Sequence, residues 1–157
     1  MIMMCSSSFL LTATVLLLAL CLTLSFAQDV TVDVIKAGSG PPVTTAHRYS
    51  SHVTLYIKND DGSKTPSGWS TRKSDGAAVD QPFAFQPGVG LITGWTEGVL
   101  KMNEGDRSWL TVPSEKGYGA QSMGSPGGSG FYIPANSNLL FDIEILGKES
   151  DMSRQDL

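Results

Sequence analysis

Apolar and polar side chains alternate with a period of two along four stretches of the chain: VTVDVI (residues 30–35), HVTLYIK (52–58), SWLTV (108–112) and LLFDIEIL (139–146). Successive side chains of a strand point to opposite faces, so this spacing predicts strands with one buried face. In the last of them Leu139, Phe141, Ile143 and Ile145 share a face, and Asp142 and Glu144 lie on the other. The connections GSGPP, NDDGSKTPSG, QPGVG and GSPGGSG carry the glycine and proline that chain reversals need. One stretch departs from this pattern. In LITGWTEGVLKMNEG, residues 91–105, Leu91, Trp95, Val99 and Met102 recur at helical spacing, with Thr93 placed to cap the start and Gly105 to end the helix. Gly94 and Gly98 each cost about 1 kcal/mol relative to alanine inside a helix, which predicts that another backbone or a ligand approaches closely there. The pattern gives a mainly β domain with one helix packed on its sheet.

Ahead of this domain, residues 9–27 form an uncharged run, FLLTATVLLLALCLTLSFA, and the first charged side chain is Asp29. A long apolar core ending in the small residues Ser25 and Ala27 predicts a secretory signal peptide over residues 1–27. The competing expectation is a membrane anchor, since a run of roughly 18 apolar residues or more can span a bilayer. Removal of 27 of the 157 residues leaves 130, enough for one domain with a modest core. Residues 28–148 are assigned to that domain and 149–157 to a polar tail. The tail ends in RQDL, which resembles the acidic-leucine strings that return proteins to the endoplasmic reticulum. Both cysteines, Cys5 and Cys21, fall in the leading segment, so packing and backbone pairing must hold the domain without a disulfide.

Charge and chemistry narrow the field by elimination. The net charge is −4, from 11 basic and 15 acidic side chains with no dense basic cluster, so nucleic acid is not an expected partner. His47 and His52 are the two histidines, and no nucleophile elbow or metal-ligand spacing accompanies them. The NDDG of residues 59–62 lacks the calcium-loop pattern, and the glycines around Gly124 lack a phosphate-loop lysine. No metal or cofactor is expected. What remains is aromatic: Tyr56, Trp69, Phe83, Phe85, Trp95, Tyr118, Tyr132 and Phe141. These are either ordinary core, the reading preferred for Phe85, or the lining of a pocket for a small apolar ligand such as a proline ring.

Four strings carry a resemblance: PFAF (82–85), GLITGWTEGVLKMNEGDR (90–107), LTVPSEKGYGA (110–120) and IPANSNLLFDIEIL (133–146). In their order and spacing, from about residue 30 to residue 148, the chain resembles FKBP-type peptidyl-prolyl cis-trans isomerases, the family that binds tacrolimus and rapamycin. The resemblance implies an α+β fold in which a strongly bent antiparallel β-sheet wraps around one short α-helix, with a pocket between them. It also implies Trp95 as pocket floor, Leu91 and Ile92 at its side, and Tyr56, Trp69, Phe83, Ile133 and Phe141 as walls. Tyr118 matches the tyrosine whose hydroxyl bonds a ligand carbonyl, and the Ile92 N–H a backbone donor.

The chain departs from the family at one wall. Where the family commonly follows a phenylalanine with Asp-Ser, this sequence reads Trp69-Ser70-Thr71, so Ser70 replaces the wall carboxylate, and Arg72 is a candidate basic wall residue. Reduced macrolide affinity and reduced turnover are the expectation. The loop of residues 120–132 is longer than usual, rich in glycine and serine, and expected to act as a mobile flap. The resemblance thus implies a monomeric prolyl isomerase, without cofactor, that assists folding in the secretory pathway and touches a membrane only if its leading segment is retained. The alternative is a non-catalytic chaperone domain that holds proline-containing chains.

Overall fold

The computed structural model describes residues 28–127 and 130–149. The expected signal peptide and residues 150–157 of the tail, RQDL included, lie outside them. Eight strands and one helix follow in chain order: β1 (Thr31–Lys36), β2 (Tyr49–Lys58), β3 (Lys64–Ser70), β4 (Phe83–Phe85), α1 (Thr93–Val99), β5 (Arg107–Val112), β6 (Met123–Gly124), β7 (Tyr132–Ile133) and β8 (Asn138–Lys148). The main sheet runs β1-β5-β8-β2-β3, with β4 also on β2, and its pairings are antiparallel.

The eleven-residue β8 lies at the centre, paired along both edges with β2 and β5. Leu139, Phe141, Ile143 and Ile145 are all buried, as their alternation predicts, and meet Val53 and Leu55 of β2 and Leu110 and Val112 of β5 beneath α1. The opposite face is polar but not uniformly solvated. Asp142 is buried there, gripped by Arg107 at 2.9 and 2.7 Å. Arg72 closes over it, reaching Glu144 at 3.0 Å.

The two outer strands are both irregular. In β1 the pairing with β5 slips between Val34 and Lys36. At the other edge β3 contains Pro66 and a glycine at φ 87°, Gly68. The stretch KTPSGWS reads as turn because proline cannot donate to a ladder, yet at an edge the missing N–H costs no pairing. Between the pairs Thr54↔Ser70 and Tyr56↔Pro66, β3 holds two residues more than β2. That bulge re-aims the residues that follow it.

The helix is shorter than the sequence suggests. It runs from Thr93, which lies inside the helix, while Ile92 is the residue at its N-terminal boundary and no side chain caps it. It ends at Val99, and tight turns from Gly98 and Val99 carry Met102 back under the sheet. Gly105, expected to stop the helix, instead turns the chain into β5 at φ 88°, its N–H donating to the Ile145 carbonyl at 2.8 Å. A close approach is present at both helix glycines, but side chains supply it rather than the expected backbone or ligand, apart from the Lys116 carbonyl beside Gly94. A β-carbon at Gly94 would overlap Val112 and the Lys116 carbonyl, and one at Gly98 would overlap Leu110.

Candidate active site

A cavity of about 310 Å³ opens between α1 and the concave face of the sheet. Its floor is Trp95, buried to 3% exposure. The ring is held edge-on by Phe141 at 5.1 Å, Phe85 at 5.6 Å and Phe83 at 5.9 Å between centroids, a geometry favoured by the aromatic quadrupoles. Its Nε1 is buried without a hydrogen-bond partner among the described residues.

Each wall is positioned by a local feature of the sequence. Phe83 comes from β4, whose pairing with β2 is reinforced by the Ser51 hydroxyl donating to the Phe83 carbonyl at 3.2 Å. Trp69 follows the β3 bulge, where the Ser67 hydroxyl donates to the Leu55 carbonyl at 2.8 Å and accepts from the Trp69 N–H at 3.2 Å. The result sets Trp69 edge-on to Phe83, centroids 5.8 Å apart. Leu91 and Ile92 enter from the turn before α1, and Ile133 from β7. Tyr118 stands in a turn closed by Gly119 N–H to Ser114 O at 2.8 Å and by Asn136 N–H to Gly119 O at 2.7 Å.

Besides the Trp95 Nε1, the Ile92 N–H and the Tyr118 hydroxyl at this cavity have no acceptor among the described residues. Burial pushes the Tyr118 phenol above its ordinary pKa of 10.0, so it remains a neutral donor at physiological pH. Among the described residues, no ionised side chain lines the cavity. It is an apolar hollow lined by residues that carry unclaimed donors, suited to an amide flanked by an apolar ring rather than to proton transfer.

Of the ten residues expected at the site, Tyr118, Ile92, Trp95, Trp69, Phe83, Leu91, Ile133 and Phe141 line this one cavity. Tyr56 and Ser70 do not. On β2 it is Leu55, directly opposite Phe141 on β8, that faces inward, so Tyr56 points to the outer face and packs on Trp109 at 5.9 Å with Lys64 Nζ 4.4 Å above its ring. Ser70 alternates away from Trp69: its hydroxyl lies 2.9 Å from that of Thr54 and accepts from the Arg72 N–H at 3.0 Å. Arg72 is likewise no cavity wall, since its guanidinium crosses the outer face to Asp142 and Glu144.

Sequence reasoning missed Leu55, Gly90 and Phe131. Leu55 was recoverable from the parity of β2, which it shares with Val53. Phe131 carried no periodic signal, for it sits beside the two-residue strand β7. That strand pairs with β6, Met123↔Ile133 and Gly124↔Tyr132, so the stretch expected as a free flap contains a small hairpin. The end of its loop, just before β7, packs against the β3 bulge, where a β-carbon at Gly68 would meet the Gly130 carbonyl at 3.0 Å.

Comparison with known proteins places this geometry. Residues 44–146 match the family described as FKBP-type peptidyl-prolyl cis-trans isomerase. The chain is 34% identical to FK506-binding protein 1 of Aspergillus oryzae over 116 residues, covering 72% of this chain and 92% of that one. It is 38% identical over 115 residues to the peptidyl-prolyl cis-trans isomerase FKBP12 of Vicia faba, covering 73% and 93%. Among solved structures, the crystal structure of AtFKBP13 superposes with a TM-score of 0.59 at 29% identity, covering 76% of this chain and 92% of that one. A curved antiparallel sheet around one helix, an aromatic hollow between them and a match over residues 44–146 lead to one assignment: the chain belongs to the FKBP-type peptidyl-prolyl cis-trans isomerase family.

Proposed function

We propose that this protein accelerates rotation about Xaa-Pro bonds in polypeptides passing through the secretory pathway, by holding the prolyl amide in the cavity above Trp95. The uncatalysed barrier of roughly 18–20 kcal/mol reflects the loss of amide resonance in the twisted state. A twisted amide has less charge separation than a planar one and loses less by leaving water. An apolar hollow therefore accommodates the twisted form better than either planar isomer, and only such differential binding accelerates the step. Each 1.36 kcal/mol of that difference is worth tenfold in rate. The Ile92 N–H and the Tyr118 hydroxyl orient the flanking carbonyls. No proton leaves any group and no covalent bond forms.

The observation that carries this reading is the pairing of a tryptophan floor with the unclaimed Ile92 N–H and Tyr118 hydroxyl in a cavity that no ionised side chain among the described residues lines. It is tested by NMR exchange or a protease-coupled assay on a short Xaa-Pro peptide, with rapamycin as competitor. Acceleration that rapamycin suppresses supports it, and no acceleration at micromolar protein refutes it. Action in the secretory pathway rests on the leading apolar run. Its test is the N-terminal mass of protein recovered from a eukaryotic expression host, where retention of residues 1–27 contradicts cleavage.

A second reading, a domain that holds proline-containing chains without turning them over, is motivated by the sequence alone, where Ser70 stands in place of the family's usual carboxylate. Substitution Ser70→Asp does not separate the two as the sequence suggests. Ser70 faces Thr54, whose hydroxyl already donates to Asp75 at 2.6 Å, so a new carboxylate there meets Asp75 rather than the cavity. We expect S70D to leave prolyl-peptide turnover within about threefold of wild type and to lower stability by roughly 1 kcal/mol through like-charge crowding. A large gain in turnover contradicts that placement. Peptide affinity without acceleration in the wild-type protein decides for the holding domain.

A further inference from the structure

Ser67 does not line the cavity, yet its hydroxyl bonds the main chain of two residues that do. It donates to the Leu55 carbonyl on β2 at 2.8 Å and accepts the N–H of Trp69 on β3 at 3.2 Å. We propose that Ser67 is a positioning residue for prolyl binding: this one hydroxyl fixes the separation of the Leu55 and Trp69 walls, and with it the affinity of the cavity for a proline ring. The inference rests on the cavity being the prolyl site.

Three observations support it. The bulge sets Ser67, Gly68 and Trp69 against the single residue Leu55, which has no partner in the β2–β3 register. A side-chain hydroxyl therefore bridges the strands at the point where the two walls face each other. That hydroxyl is also enclosed: Ser67 is 5% exposed, so little water is at hand to replace either bond once it is lost. The same turn locates a third wall. With φ at 87°, Gly68 folds the chain so that the Trp69 N–H reaches back two residues to Ser67. A β-carbon on Gly68 would lie 3.4 Å from Cα of Phe131, which also lines the cavity. Trp69 is the first of a run of edge-on rings that continues through Phe83 to Trp95 and Phe141, so a shift at Ser67 is carried inward by packed rings rather than absorbed at the sheet edge. These walls touch the proline ring, which is unchanged while the amide turns, and so hold the planar and twisted states alike. Loss of their placement belongs in KM, with kcat nearly unchanged.

The test compares the full-length wild type with Ser67→Ala, Ser67→Val and Ser67→Thr. Threonine keeps the hydroxyl, and valine has the same shape without it. Ser67 also borders a hollow of about 260 Å³ between β3 and β7, which takes the extra methyl of either. On a short prolyl peptide, S67A and S67V should raise KM by about three- to tenfold, the worth of one neutral hydrogen bond, with kcat within about twofold of wild type. S67T should stay within about twofold of wild type in both. In protein labelled with fluorotryptophan, the fluorine NMR resonance of Trp69, assigned from Trp69→Phe, should move in S67A and S67V and hold in S67T, while that of Trp109 on the outer face holds in all. A hydroxyl that serves stability alone lowers the fraction folded, and with it the apparent kcat, without moving KM. An unchanged KM and an unmoved Trp69 resonance in folded S67A overturn the proposal, as does S67T behaving like S67V. Where peptides bind without acceleration, the same ratio is read in Kd, so the role of Ser67 and the isomerase reading fail separately.

Discussion

Gly98→Ala sets two effects of opposite sign against each other. Gly98 has ordinary helical backbone angles, so alanine should stabilise α1 by about 1 kcal/mol through propensity. Its β-carbon, however, would lie against the Leu110 side chain, 2.9 Å from Cδ2 and 3.1 Å from Cγ, with Cδ1 nearer still. Leu110 cannot rotate aside. It is fully buried on β5 between Val32 of β1 and Phe141 of β8, and because Cγ overlaps as well as the methyls, the whole side chain must shift. Overpacking of this kind costs about 1–3 kcal/mol, and an overlap reaching Cγ belongs toward the upper end. The net expectation is destabilisation by about 1–2 kcal/mol, or a fall in Tm of roughly 3–8 °C for a domain of this size. Urea denaturation followed by tryptophan fluorescence measures it. The double variant Gly98→Ala/Leu110→Val should be more stable than the sum of the two single changes implies, since valine vacates the overlapped space. A Gly98→Ala protein as stable as wild type refutes the packing argument and leaves propensity as the deciding effect.

Three further predictions concern the cavity and its surroundings. Trp95→Ala should cost about 3–5 kcal/mol and abolish prolyl isomerisation, whereas Trp95→Phe should cost far less, because the indole N–H it removes has no partner to lose; equal losses in chemical denaturation would contradict the placement of that ring. Tyr118→Phe should lower kcat/KM by about three- to tenfold, the worth of one neutral hydrogen bond. With the phenol pushed above 10.0, wild-type kcat/KM should stay flat from about pH 6 to about pH 9, and a titration within that range would implicate another group. Asp75 lies below its ordinary 3.8, chiefly through the Thr54 hydroxyl bond. A folded-state pKa depressed in this way gives stability that is complete above the unfolded value and lost as pH falls through the folded one. The stability gap between wild type and Thr54→Val should therefore narrow between about pH 5 and about pH 2, and a gap constant over that interval, read from urea midpoints, would show that the bond carries no charge-dependent stabilisation.

Most of the strand framework was legible because half-burial writes itself into the sequence as alternation. LLFDIEIL and SWLTV show it, and the aromatic cavity followed from the order of four motifs. The errors cluster where that rule is overridden or loses power. In HVTLYIK the parity of Val53, Leu55 and Ile57 already marks Leu55 as inward, and the resemblance places the aromatic Tyr56 in the wall against that parity; across the sheet Leu55 meets Phe141. KTPSGWS hides an edge strand behind a proline and a glycine, and the bulge at Gly68 decides that Trp69 faces the cavity and Ser70 does not. Two-residue strands such as β6 and β7 are too short to have a period, which is why Phe131 escaped notice. The helix glycines showed that something comes close, and tertiary packing determined that it was Val112 and Leu110.

The irregular outer strands have a consequence for how the domain meets extended polypeptides. A long, even sheet margin offers a row of free amides and carbonyls on which an extended polypeptide can nucleate. Here one margin is interrupted by the imino acid at Pro66 and the extra residues beside it, and the other is thrown out of step after Val34. Neither of these two borders offers an extended chain an even ladder on which to add a further strand, so a prolyl peptide drawn to the hollow meets little else on the sheet to pair with.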